Sequence, residues 1–246
     1  MDKQSIKGKF NKIIANVGYY YHPEYLREEY RSKLDTKDID IKKIEGYFQL
    51  LSTINFFLNK IKGYDLYFSN FYPDGDSIKK TEALEHHIYA YLEYLDIFRN
   101  KVSWFLGTLK NDLKKIALNK GEIDFALKTF IDNMEKVFTQ LKQNRHPHHH
   151  KGMKFLDPDL VNAQALQTIL ESRGKFLDTL TPDFLDQIEK KLETSFKKAQ
   201  SNWIDLAKRN SEQMSGFIDE VFSRNEEFIY KVLDIKPTED IFGDKN

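Results

Sequence analysis

Four of the seven histidines of this 246-residue chain fall in one short stretch, Asn144-Arg145-His146-Pro147-His148-His149-His150-Lys151-Gly152. An arginine and a histidine with four residues between them are side chains that can break a phosphodiester without a metal. The planar guanidinium of Arg145 can clamp a phosphate through two parallel hydrogen bonds. An ordinary imidazole changes charge near neutrality, so a histidine at 150 could take the proton of a ribose 2′-hydroxyl and return one to the leaving oxygen. The 2′-oxygen then attacks its own phosphate and leaves a 2′,3′-cyclic phosphate. A different chemistry draws on the same stretch. His148, His149 and His150, with His146 and with His86-His87 from elsewhere in the chain, could ligate zinc or nickel. Pro147 keeps His146 and His150 from lying one helical turn apart, and no Asp or Glu falls within the run. The expectation is therefore no metal and no cofactor. A third reading gives the stretch no chemistry at all: it is a solvated surface loop in a helical scaffold that binds partners.

Composition narrows these choices. With no Cys there is no disulfide framework, no Cys-ligated zinc or iron–sulfur site and no Cys nucleophile. The counts of 38 Lys+Arg and 38 Asp+Glu cancel, which removes any argument from a global field. The zero is nevertheless a sum of unlike parts. Residues 97–151 carry 11 Lys/Arg against 5 Asp/Glu, whereas residues 183–246 carry 14 Asp/Glu against 10 Lys/Arg. The basic middle holds the histidine stretch, and a basic patch is the footprint of a phosphate-bearing partner. Arg99-Asn100-Lys101 lies in the same middle, and Arg99 and Asn100 are expected to support a phosphate site. The first residues have no apolar core of the kind a leader needs. The longest uncharged run, Gly46 to Asn59, is too short and too polar to span a bilayer. A cytoplasmic protein without membrane contact is expected.

The elements that must position these residues are helices. Apolar residues recur in steps of three and four from residue 3 to 17, from Thr36 to Lys62, from Asp76 or Ser77 to about Leu118, from Glu122 to Gln143, and from Asp157-Pro158 to near Gly174. A last long segment opens at Thr181-Pro182, runs to about Leu233 with Asn210 on its apolar seam, and is expected to break near Ser215-Gly216. Asp or Thr before Pro is a helix start with a mechanism: the side chain caps the helix, and the proline gives up a donor the first turn does not use. Two aromatic stretches, Gly18–Tyr25 and Gly63–Gly75, read as a turn and a packed loop. Strand signals are absent. The expectation is an all-α, elongated helical bundle, divided as 1–75, 76–180, 181–235 and a loose tail at 236–246.

An arginine, four to six residues, then a histidine, in a loop that follows a bundle helix, resembles the HEPN superfamily of prokaryotic ribonuclease and nucleotide-binding domains. His146 stands where that family often has Asn, Asp or His, and Gly152 follows one residue after Lys151. Pro147, inside the spacing, departs from the pattern. The resemblance covers about residues 76–175. It implies an all-α fold, Arg145 binding the scissile phosphate, His150 as acid and base, and His146 as a polar companion with His149 beside it. It also implies a homodimer in which two such loops form one site, RNA or a nucleotide as ligand, and a role as a toxin or anti-phage effector. A protein partner would meet the C-terminal helix.

Overall fold

The computed structural model describes residues 8–34, 38–72, 78–116, 121, 127–128, 131–132, 136, 157–172 and 181–238. Of these, 88% are helical and none is in a strand, so the fold is all-α. In chain order the helices are α1 (Lys9–Tyr21), α2 (Glu28–Arg31), α3 (Ile41–Lys62), α4 (Tyr64–Asn70), α5 (Lys80–Ile116), α6 (Pro158–Glu171) and α7 (Pro182–Leu233). Gly121, Leu127, Lys128, Ile131, Asp132 and Lys136 are helical as well. No described helix is long and apolar enough to cross a membrane. The chain divides into two compact units: residues 1–58, 97–138 and 213–246 in the first, and residues 59–96 and 139–212 in the second.

In the first unit the core is the apolar stripe of α1 (Phe10, Ile13, Val17), of α3 (Ile44, Leu51, Ile54, Leu58), of the second part of α5 (Phe98, Val102, Phe105, Leu109) and of the last part of α7 (Ile218, Val221, Phe222, Ile229). Phe222 lies 4.4 Å from Phe10 and 4.9 Å from Phe105 between ring centroids, so one ring joins three helices. A buried polar chain crosses the same core. Asn16 donates to the Tyr230 hydroxyl and accepts from Thr238. The Tyr20 hydroxyl donates to the Lys236 carbonyl and accepts from its N–H. These bonds satisfy groups that would otherwise be buried at a cost, and they fasten residues 235–238 to α1.

The start of α1 shows how an unusual backbone is held. Gly8 sits at φ 98° and ψ 143°, a region open in practice to glycine alone. Its turn lets Asp219 of α7 accept the Phe10 N–H at 3.1 Å, so a carboxylate distant in sequence caps the helix. A Cβ on residue 8 would lie 2.8 Å from both carboxylate oxygens of Asp219. Gly8→Ala is therefore expected to destabilise the first unit by about 1–3 kcal/mol, read from urea melts. An unchanged midpoint would show that the turn relaxes.

In the second unit Tyr64–Asn70, the first part of the aromatic stretch after Gly63, is a helix, α4, not a loop. Tyr64 and Phe68, four residues apart, are both buried, and they pack within 5.1–5.6 Å of Tyr91. Asp157 does two things at the start of α6: one oxygen accepts the Leu160 N–H at 2.9 Å and the other accepts the indole N–H of buried Trp203 at 2.8 Å. Asn210 donates to the Tyr91 hydroxyl at 3.0 Å, which gives the polar residue on the α7 seam a specific partner.

Other departures from the periodicity have physical causes. Gly18-Tyr19-Tyr20-Tyr21 continues α1 instead of turning, because a Cβ at residue 18 would meet the Phe48 ring at 3.0 Å; the glycine allows a close helix approach. Ser215-Gly216 does not interrupt α7, which is continuous over 52 residues. The α3 helix opens at Ile41, with Asp40 accepting the Lys43 N–H at 3.1 Å; Thr36, where the segment is expected to begin, lies outside the described residues.

Candidate functional site

Arg145, His146, His148, His149 and His150 lie outside the described residues. Arg99 and Asn100 are described, on α5, where the Arg99 guanidinium donates to the Asn100 side-chain oxygen at 2.8 Å. Two residues further on, about 200° around the helix, Lys101 belongs to another face. Its ammonium stands 4.9 Å from the centroid of the Trp104 ring. His87 donates through Nε2 to the Phe71 carbonyl at 2.7 Å, with Tyr67 and Tyr72 edge-on to its ring, so it is a hydrogen-bonded residue at the border of an aromatic cluster. Among the described residues no group of three or more His, Asp or Glu is arranged to hold a metal ion.

One described surface feature with binding character lies in the first unit, between α3 and α5. It is a groove of about 510 Å³. Steps of four, three and four put Lys42, Gly46, Gln49 and Thr53 on one stripe of α3. Steps of three, four and four put Lys101, Trp104, Thr108 and Asp112 on one stripe of α5. These stripes face the groove, with Lys43, Tyr47 and Leu50 completing it. Trp104 is 59% exposed, a large ring left open to water. Gly46 is open as well: a Cβ added there would meet no atom within 4 Å.

The electrostatics of the groove are set by three lysines and one carboxylate. Lys43 donates to the Val232 carbonyl at 2.8 Å. Asp112 accepts from Lys115 at 2.7 Å and from the Tyr47 hydroxyl at 3.1 Å. Burial works against the charge of Asp112, but the bonds from Lys115 and Tyr47 and the charges of Lys43 and Lys115 outweigh it, so its pKa lies below the ordinary carboxylate value. Burial, reinforced by Asp112, raises that of Tyr47. A carboxylate with a depressed folded pKa contributes stability above its unfolded pKa and loses it as pH falls through the folded one. Asp112→Asn is therefore expected to flatten the acid limb of the stability curve between those two values, as measured by urea melts across pH. An unaltered acid limb would mean that these bonds do not favour the charged form.

A groove with an aromatic plate, an apolar floor at Leu50 and lysines along both walls can take a flat ring that carries negative charge. Stacking and cation–π contact would hold the ring, and the ammonium groups would hold the charge. Sequence reasoning passed over this groove because its attention was on the core stripes. Two signals were present: Trp104 falls off the buried run Phe98-Val102-Phe105-Leu109, and Gly46 sits inside a helix where alanine is the better former. Set against family models, characterised proteins and solved structures, the chain matches none of them, so the reading of this site rests on its own residues.

Proposed function

We propose that this chain is a helical RNA- or nucleotide-binding protein whose ligand lies in the α3–α5 groove. The observation that carries this reading is the exposed ring of Trp104 beside Lys101, in a groove also lined by Lys42 and Lys43. A base can stack on the indole regardless of its identity, because every base has a π-face. Phosphates next to that base would meet the lysines, so binding should weaken as salt rises. The test is fluorescence titration of the full chain with nucleotides and short RNAs at several salt concentrations. Saturable quenching with a negative salt slope supports the reading; no binding at low salt removes it.

Cleavage is a second reading, favoured by the Arg145-x4-His150 spacing and by the basic charge of residues 97–151. In it Arg145 holds the scissile phosphate and His150 moves the proton, with His146 and His149 as neighbours and two protomers completing the site. Arg145→Ala and His150→Ala are each expected to lower RNA cleavage by about 100-fold or more, with the wild-type reaction insensitive to chelators. Cleavage that survives both substitutions would leave a binding protein without chemistry at that stretch, one that works by holding RNA or a protein partner. A toxin or anti-phage role rests on the same outcome and is checked by growth arrest on expression of the two variants.

A further inference from the structure

We infer that Gly46 is the position over which the ligand ring passes, and that the groove is thereby sized for a single nucleotide unit; this rests on the nucleotide-binding reading above. The first ground is the absence of a side chain at a helical position that lines the groove. A glycine inside a helix is a weaker helix former than alanine, and packing gives Gly46 no reason to be glycine, since a Cβ there meets nothing within 4 Å. Gly18 provides the contrast within the same unit: the Phe48 ring would lie 3.0 Å from its Cβ, so protein packing alone accounts for it.

The second ground is what surrounds Gly46. Lys42 precedes it by one turn on the same stripe, Gln49 and Leu50 follow it by one turn, and Trp104 and Thr108 line the groove from α5. The missing side chain thus leaves an opening between a cation, a hydrogen-bonding amide and an exposed indole. A ring can approach the α3 backbone at that point while it rests against Trp104, with its phosphate at Lys42. The third ground is size. A space of about 510 Å³ falls in the range of small-molecule sites. Grooves that track single strands extend over roughly 4–16 nucleotides.

The same unit supplies a control. Gly107 of α5 also has nothing within 4 Å of a built Cβ, but it does not line the groove. Gly46→Leu and Gly107→Leu therefore add the same side chain to open helical positions, one in the path of the ligand and one outside it. The experiment titrates the full chain and both variants with adenosine 5′-monophosphate and with an oligoadenylate of about ten nucleotides, and follows folding by circular dichroism. The expected result is that the wild type binds the mononucleotide, Gly46→Leu weakens it about tenfold or more, and Gly107→Leu leaves it within about twofold, with both variants folded. If Gly46→Leu is unfolded, Gly46→Ser, which has less bulk, is expected to show a smaller loss in the same direction. Gly46 variants that bind as tightly as wild type, in a protein where Trp104→Ala weakens binding, overturn the inference and leave the nucleotide reading standing. Binding of the oligonucleotide without the mononucleotide overturns the size argument alone. Failure of the wild type to bind either one removes both.

Discussion

Replacing Phe222 with Ala is expected to lower the stability of the first unit by about 3–5 kcal/mol, the range for a buried aromatic ring cut back to a methyl group. Phe222 is fully buried and touches Phe10 of α1 and Phe105 of α5. Its removal opens a cavity where three separate stretches of chain meet, and no single stretch can shift to fill the space without leaving the other two. Since a domain of this kind is stable by only about 5–15 kcal/mol, the variant should be close to unfolding at ordinary temperatures. Ile41→Ala is the comparison: that side chain is 45% exposed, and its truncation should cost about 1 kcal/mol or less. Paired urea denaturation curves check the difference, and similar costs for the two would mean that the Phe222 site collapses around the lost ring.

Trp104→Ala should have the largest effect on binding with the smallest effect on folding. Stacking of a base on an aromatic side chain is worth about 1–3 kcal/mol, which is roughly 5- to 150-fold in affinity. Because the ring is 59% exposed, little core is lost with it, and stability should move by less than about 1 kcal/mol. Lys42→Glu and Lys101→Glu give an independent reading of the same surface. Each phosphate contact removed should weaken RNA binding for all sequences alike and reduce the salt slope by about 1. Nucleotide affinity that is indifferent to all three substitutions would falsify the assignment of the groove, wherever else on the chain the ligand sits.

The helices were legible wherever local chemistry and packing agree. Asp157-Pro158 and Thr181-Pro182 announce helices that begin at Pro158 and Pro182, because an N-terminal cap and a proline act within one turn and need no distant partner. The α5 stripe is buried from Leu84 to Leu113, and only its last position, Ile116, is exposed. The misreadings share a cause, which is that glycine and aromatic clusters carry no local rule for what will pack against them. Gly18 reads as a turn in sequence, yet it is helical because Phe48 comes close, and Phe48 lies thirty residues away. The stretch after Gly63 reads as a loop in sequence, yet Tyr64–Asn70 is helical because Tyr64 and Phe68 share a face that Tyr91 and Trp203 cover. Asn16, between buried Ile13 and Val17, gave no hint of its partners Tyr230 and Thr238. The site is the converse case. Residue types alone single out Arg145 and His150, whereas Trp104, Gly46 and Lys42 acquire meaning only when two helices are set side by side.

The bonds between α1 and residues 226–238 also set an order of events during synthesis. Tyr230 and Thr238 are separated from Asn16 by 214 and 222 residues. At translation rates of about 5–20 residues per second, Tyr230 leaves the ribosome roughly 10–40 s after Asn16. Through that interval Phe10 lacks the ring of Phe222, and the side chain of Asn16 lacks its partners. Contacts this distant in sequence make for slow assembly of the first unit, while the nascent chain presents an amphipathic helix still missing part of its cover to whatever holds it in the cell.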